Sequence, residues 1–209
     1  AFPSHYGSTK CWAEREVRRR MDRRPVAIHR PAIVMGDSRT GETDKYDGLY
    51  YLVALLDRLP RWAPLVHLGP GTAQVNIVPV DFVVDAMAEL WTMEDAVGNT
   101  FHLADPYPHT AREVVEAMSA ALGHRRPLLS LPPAIAERAL ELGPVRQVVR
   151  IPEQTVTYLN HDVSFDTANQ RRLLEGRGVE CPDALETIPA LVEYVKRHPD
   201  KPFLDGRAV

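Results

Sequence analysis

The chain has 209 residues, of which 44% are hydrophobic and 25% are charged, and its formal net charge is -3. That length suits one large domain or two small, closely packed ones, with enough apolar residues for a core. The near-neutral charge argues against a nucleic acid or an anionic membrane surface as partner, because both favour a marked basic excess. Charge or proline interrupts every long apolar stretch, so we expect no membrane span.

Two cysteines, Cys11 and Cys181, lie far apart in the sequence and show no spacing typical of a metal site. They predict buried free thiols in a reducing compartment, and hence a cytoplasmic protein. The histidines and the acidic loop residues also lack ligand spacing, so we expect no metal site. The amino terminus has neither an initiator Met nor the regions of a signal peptide, which predicts a piece of a longer polypeptide.

The first predicted elements alternate between helix and strand. A helix is expected over residues 6–21, with Trp12 packed into the core, and Pro25 closes it. Residues 26–34 are nearly all apolar, which is typical of a strand buried on both faces of a parallel sheet. A polar, turn-rich loop and an amphipathic helix over residues 49–59 follow.

The middle of the chain repeats this alternation. Residues 75–80 lead into Asp81, which we expect to cap a helix. Residues 99–104 predict another short strand. Thr110 is expected to cap a further helix, which Gly123 ends.

The last part of the chain is richer in helix. Pro132 is expected to open a helix, and residues 162–166 alternate like a half-exposed strand. Closing helices are predicted over residues 167–175 and 184–197, and residues 199–209 are expected to form a linker or tail. The whole pattern predicts an α/β protein with a smaller, mostly helical lobe.

Tyr6 and Lys10 form the first candidate for chemistry. Their spacing places a phenol and an ammonium on one face of the first predicted helix. An unperturbed phenol has a pKa of about 10, and a close cation favours its anionic form. Such a pair can exchange a proton with a substrate oxygen. The spacing is common, however, and by itself it favours an exposed helix face over a catalytic pair.

The context of this pair changes that interpretation. The pair is followed by three further motifs, at residues 30–34, 76–85 and 99–103. In this order and spacing they resemble the extended short-chain dehydrogenase/reductase family, over nearly the whole chain. The resemblance equates the pair with the family's catalytic residues and the second motif with the strand and turn against the nicotinamide. The third motif then follows the substrate loop, and the fourth is the last strand of the nucleotide-binding sheet.

The resemblance implies a Rossmann-type fold, an NADP(H) or NAD(H) cofactor and an oxidoreductase activity in the intact protein. It makes Tyr6 and Lys10 catalytic, with Tyr6 as proton donor and Lys10 bound to the nicotinamide ribose. The implied cofactor-binding residues are Tyr6, Lys10, Pro31, Ala32, Ile33 and Val34. The implied nucleotide-binding segments are residues 1–36 and 76–105, and the implied substrate-binding lobe comprises residues 37–75 and 106–198.

One branch of the family fits best. Residues 36–41 and the following Asp47-Gly48 resemble the acyl-thioester or fatty acyl reductases, as do residues 106–122 and 191–194. This similarity implies that an acyl thioester on coenzyme A or a carrier protein is reduced with NADPH to an aldehyde or an alcohol. The implied substrate-binding residues are Gly36, Asp37, Ser38 and Thr40. Nucleotide-sugar epimerases or dehydratases and hydroxysteroid-type dehydrogenases share most of the frame and remain alternatives.

The family's glycine-rich turn, which approaches the cofactor pyrophosphate, would lie upstream of Tyr6. We therefore expect this chain to be a carboxyl-terminal part that is inactive alone and binds NADPH weakly. Its expected partners are the missing amino-terminal half or, in a homo-oligomer, a second copy. The absent turn also leaves open a non-catalytic dinucleotide-binding or interaction module.

Overall fold

The computed structural model describes residues 5–61, 66–68, 71–124, 129–131 and 163–203. The helix predicted to open at Pro132 lies outside the described residues. Within the described ranges, no helix is both long and apolar enough to cross a membrane. The same part of the chain brings no group of three or more His, Cys, Asp or Glu side chains together to hold a metal ion.

The helices match the predicted ones closely. They are α1 (His5–Arg18), α2 (Tyr50–Arg58), α3 (Val80–Trp91), α4 (Ala111–Ala121), α5 (Ala168–Leu174) and α6 (Ala184–Arg197), with a short 3-10 helix at Glu94–Ala96. α1 ends three residues before the predicted Met21, because the chain there passes into hydrogen-bonded turns. The predictions for α4 hold at both ends: Thr110 and Glu113 form a reciprocal capping box, and Gly123 follows with a φ of 79°.

The strands are short and pair mostly in parallel. They are β1 (Ile28–Pro31), β2 (Ile33–Met35), β3 (Val66–Leu68), β4 (Gln74–Val75), β5 (Ile77–Pro79), β6 (Thr100–Leu103), β7 (His109–Thr110) and β8 (Leu129–Leu131). β1 pairs with β6, β2 with β5 and β3 with β8 in parallel, whereas β4 and β7 are antiparallel. The α/β class predicted from the sequence is confirmed.

The strand predicted over residues 26–34 is divided in two, because the chain changes its pairing partner at Ala32. The Ala32 amide donates to the Leu103 carbonyl at 3.0 Å, whereas the Ile33 amide donates to the Asn76 carbonyl at 3.1 Å. β1 therefore stays with β6, and β2 turns to β5. A single apolar run thus supplies strands to two neighbouring strand pairs.

Two hydrophobic clusters lie on either side of this change of partner. The smaller cluster joins α3 and β6 through the buried residues Val78, Phe82, Val83, Ala86, Leu90, Ala96, Phe101, Leu103 and Leu174. The larger cluster joins α2, α4 and α6, and contains Met35 and Ile77 from the β2/β5 pair. Ala32 packs against the smaller cluster, whereas Ile33 packs against the larger one.

α5 belongs with the smaller cluster, although the predicted division places residues 106–198 in the substrate lobe. The Gln170 side chain accepts from the Ala104 amide at 2.9 Å and donates to the Ala104 carbonyl at 3.1 Å. Asn169 donates to the Thr100 carbonyl at 3.0 Å. These amide side chains satisfy backbone groups along β6, as a further strand would.

The described part of the predicted tail, residues 199–203, is attached to the larger cluster. The Phe203 ring is buried, with its centroid 4.6 Å from that of Tyr51 and 5.4 Å from that of Tyr46. Lys201 donates to the Tyr194 hydroxyl at 3.1 Å and also to the Thr43 carbonyl. Aromatic packing therefore anchors the chain beyond α6.

Three further sequence-based expectations are wrong. Asp81 does not cap α3, because Pro79 occupies the N-cap position and the Asp81 carboxylate binds a neighbouring loop instead. The described part of the strand predicted over residues 162–166 is irregular and exposed. Trp12 is 69% exposed rather than packed in the core, because α1 buries none of its residues.

Among the glycines that the structure describes, Gly41 leaves the least room for a Cβ atom. Its φ is 71°, and a Cβ there would lie 2.3 Å from the Ala190 carbonyl oxygen in α6. We predict that Gly41→Ala lowers the free energy of unfolding by about 2–5 kcal/mol, because left-handed strain and overpacking add. Gly98→Ala is the matched control, since Gly98 has a φ of 83° and open space around it. Equal losses for both variants in denaturant unfolding would contradict the predicted clash.

Candidate functional site

Tyr6 and Lys10 lie in the first two turns of α1, at the exposed end of the helix. The Lys10 ammonium lies 5.4 Å from the centroid of the Tyr6 ring. Tyr6 is 67% exposed, so its hydroxyl is accessible from outside this chain. The structure thus brings the predicted pair together, with a cation beside an accessible phenol.

The predicted nicotinamide contacts lie where the chain changes strand partner. Pro31 ends β1 and is exposed, Ala32 and Ile33 are half-buried, and Val34 is exposed in β2. They stand at the carboxyl end of β1, beside the end of β6. In open α/β sheets, ligands bind in the crevice outside the carboxyl ends of the strands. The position of these residues therefore fits a nicotinamide ring.

Asp37 organises the loop that follows β2. Its Oδ1 accepts from the Arg39 amide at 3.0 Å, the Thr40 amide at 2.9 Å and the Thr40 hydroxyl at 3.0 Å. The Thr40 amide holds the pKa of the Asp37 carboxyl below its ordinary value, and the Arg39 amide adds to this. Because these bonds need the ionised form, they weaken as the pH falls through that lowered pKa.

Asp81 ties the same loop to the amino-terminal turn of α3. Its Oδ1 accepts from the Ser38 amide at 2.9 Å, and its Oδ2 accepts from the Ser38 hydroxyl at 2.6 Å. The Gly36 amide donates to the Tyr50 hydroxyl at 2.9 Å, which fixes the start of the loop to α2. The side chains predicted to bind substrate thus already have partners within the protein, and these partners determine the shape of the loop.

Asn76 is a further residue beside these strand ends, and no sequence-based prediction gave it an individual role. Its side chain donates to the Asp105 carbonyl at 2.8 Å and accepts from the Asp105 amide at 2.9 Å. This buried clamp holds the end of β6 beside β5. Burial raises the pKa of the Asp105 carboxyl. The sequence does contain a sign of this role, because Asn76 is a polar residue within the apolar segment 75–80. A buried polar side chain needs a hydrogen-bond partner.

Comparison with known proteins identifies the frame to which this site belongs. Residues 1–87 match the NAD-binding family model described as male sterility protein. The chain is 29% identical to glycine betaine reductase ATRR of Emericella nidulans, covering 92% of this chain and 15% of that protein. It is 27% identical to the non-canonical nonribosomal peptide synthetase FrzA of Cladobotryum sp, covering 97% of this chain and 20% of that protein.

Solved structures agree with this match. The terminal R domain from the myxalamid PKS-NRPS biosynthetic pathway superimposes with a TM-score of 0.67 and 25% identity, covering 89% of this chain and 48% of that chain. The epimerase Mth375 from Methanothermobacter thermautotrophicus has a TM-score of 0.66 at 14% identity, covering 95% of this chain and 52% of that chain, and so shows the fold alone. The chain spans about half of these structures and a fifth or less of the two curated relatives.

The nucleotide-binding frame, the family model and the reductase relatives agree on one assignment. A nicotinamide dinucleotide is the cofactor class that these comparisons support. The chain is thus similar to the extended short-chain dehydrogenase/reductase family, and within that family to the thioester reductases.

Proposed function

We propose that the protein containing this chain reduces an acyl thioester with NADPH or NADH. The observation that carries the proposal is the Tyr6–Lys10 pair on α1, in a chain similar to a solved terminal R domain. The thioester carbonyl carbon accepts a hydride and its oxygen accepts a proton. The C–S bond then breaks, which releases the thiol and the aldehyde. A second reduction of the aldehyde gives the alcohol.

Tyr6 is the proposed proton donor to the carbonyl oxygen. Its accessible hydroxyl supports this role, since a general acid must reach the reacting oxygen. The Lys10 ammonium, 5.4 Å from the centroid of the Tyr6 ring, would stabilise the negative charge left on the phenol oxygen and would hold the nicotinamide ribose. The bound dinucleotide supplies the hydride. Neither role requires a metal ion, since the phenol itself provides the proton.

The proposed cofactor contacts are Pro31, Ala32, Ile33 and Val34. Pro31 presents no amide hydrogen and keeps its backbone rigid, so an apolar ring edge can approach it closely. Ala32 and Ile33 already use their amides in the two strand pairs, so apolar contact is what they offer a ligand. This set fits the apolar face of a nicotinamide.

The proposed substrate site includes the loop of Gly36, Asp37, Ser38 and Thr40. The bonds to Asp81 and Tyr50 fix the loop beside the ends of β2 and β5, next to the proposed nicotinamide contacts. We propose residues 1–36 and 76–105 as nucleotide-binding segments and residues 37–75 and 106–198, apart from α5, as the substrate lobe.

The proposed substrate is an acyl group carried as a thioester on a carrier protein or coenzyme A. The support is that FrzA is a nonribosomal peptide synthetase and that the solved R domain comes from a PKS-NRPS pathway. We also propose a cytoplasmic location, for which the support is that Cys11 and Cys181 are both free thiols.

The first prediction tests the proton donor. In the full-length protein, Tyr6→Phe should lower kcat by about 10²–10⁴-fold with little change in cofactor affinity, because it removes one proton and no bulk. Tyr107→Phe is the control, since that tyrosine is 77% exposed and lies on the loop after β6. Wild-type turnover by the Tyr6 variant would remove Tyr6 from the mechanism.

The second prediction concerns substrate class. Oxidation of NADPH and NADH should accompany the addition of acyl thioesters, including long-chain fatty acyl and carrier-bound forms, and should not accompany the addition of nucleotide sugars or hydroxysteroids. Product analysis would then separate aldehyde from alcohol. Turnover of a sugar nucleotide without turnover of any thioester would favour the epimerase alternative. Cofactor binding without any turnover would favour a binding module.

The third prediction concerns the substrate loop. Asp81→Ala should increase amide hydrogen exchange at Ser38 about tenfold or more, because a charge-assisted hydrogen bond contributes about 1.5–3 kcal/mol. The KM for the thioester should rise with it. Asp85→Ala removes an exposed carboxylate one turn further along α3 and should change neither quantity. Unchanged exchange at Ser38 in the Asp81 variant would contradict the proposed loop anchor.

A further inference from the structure

α1 carries the proposed catalytic pair, and within the described chain its side-chain contacts with β1 and β6 are polar. None of its residues is buried, and Trp12 and Val17 are exposed. Hydrophobic packing normally sets how a helix docks on a sheet. Within the described chain, Glu14 and Arg18 supply the side-chain hydrogen bonds from α1 to β1 and β6.

Glu14 makes the principal contact. Both its carboxylate oxygens bind the Arg30 guanidinium of β1, Oε1 to Nη2 at 2.6 Å and Oε2 to Nε at 2.9 Å. The Arg18 Nε also donates to Oε1 at 2.8 Å, and its Nη2 donates to the Thr100 hydroxyl of β6 at 2.8 Å. A bidentate pair of this kind fixes orientation as well as distance. Hydrogen bonding from Arg30 lowers the pKa of the Glu14 carboxyl.

Arg30 is itself held from its other side. Its Nη1 lies 3.1 Å from His102 Nε2 on β6, and because Arg only donates, Nε2 is the acceptor. His102 Nδ1 then carries the hydrogen and donates to the Asp166 carbonyl at 3.0 Å. The guanidinium is thus aligned between α1 and the strand beside it, in a chain of contacts that runs from Glu14 to the segment before α5.

The same contacts connect the two proposed parts of the catalytic site. Tyr6, Lys10 and Glu14 follow one another at four-residue spacing, so they lie on one face of α1. Arg30 directly precedes Pro31, the first of the proposed nicotinamide contacts. The Glu14–Arg30 pair therefore sets the distance between the helix that bears the proton donor and the strand that meets the cofactor.

We infer that Glu14 and Arg30 are positioning residues that set the place of Tyr6 and Lys10 relative to the nicotinamide. The inference rests on the proposed function. Misplacement by about 1 Å can lower a rate about 100-fold. Because Tyr6 and Lys10 move together with α1, their mutual contact persists when the pair is broken. The loss then falls on kcat, and the pH dependence of the rate keeps its position.

The test uses the full-length protein and the variant Glu14→Gln, which keeps the shape of the side chain and removes its charge. Glu16→Gln is the matched control, because the ion pairs of Glu16 within the described residues are with Arg19 and Arg20, in the turn that follows α1. We expect Glu14→Gln to lower kcat about 10- to 100-fold, with KM and cofactor affinity within threefold of wild type. The single variant Arg30→Lys keeps the positive charge and one contact with Glu14. Its kcat should therefore fall less than that of Glu14→Gln.

Hydrogen exchange over residues 10–18 gives a second readout that does not depend on turnover. Exchange there should increase in Glu14→Gln and stay near wild type in Glu16→Gln. Equal kcat in the two variants of an active enzyme would overturn the inference and leave the proposed function intact. A wild-type protein that reduces no thioester would refute the proposed function. In that case, equal hydrogen exchange over residues 10–18 in Glu14→Gln and Glu16→Gln would overturn the inference as well. Lys10→Met serves as a reference, because loss of the ammonium should shift the pH dependence of the rate. A similar shift in Glu14→Gln would also overturn the inference.

Discussion

The exchange of pairing partners between Ala32 and Ile33 is the constraint on which the rest of this structure depends. One short apolar run contributes to two parallel strand pairs, and the backbone amides of these neighbouring residues donate to β6 and to the residue before β5. The two hydrophobic clusters diverge from that point. The carboxyl end of β1 therefore leads into β2, and β2 leads into the loop, so one continuous segment carries the residues that we propose for cofactor and substrate.

Different kinds of interaction hold the parts around this point. The two clusters are apolar and densely packed, whereas the loop after β2 depends on carboxylates, with Asp37 inside it and Asp81 on α3. Within the described chain, α1 buries no side chain, and the Glu14–Arg30 ion pair joins it to β1. Bonds of this kind fix direction, which a reactive group needs, but they contribute less stability than an apolar core. The elements proposed for chemistry are thus those held by polar contacts.

Alternation of apolar and polar residues was enough to predict most of the elements. α6 has the predicted bounds, and the Thr110–Glu113 capping box and Gly123 delimit α4 as expected. These features are local, since a cap or a periodic face involves residues a few positions apart. The prediction of a strand at residues 162–166 was wrong, because a strand needs a partner from a distant part of the chain. Its apparent alternation has no strand partner in the described structure, and Phe165 contacts the ring of His102 instead.

The sequence by itself determined the α/β class, the bounds of α4 and α6, and the placement of Tyr6 and Lys10 on one helix face, because each follows from periodicity or capping within a few turns. Only the tertiary structure decided the roles of Asp81, Arg30 and Asn76. Asp81 had every local sign of a helix cap, yet its carboxylate binds Ser38, 43 positions away. Such partners meet only when separate strands lie side by side, and no local pattern specifies which polar side chain will face which.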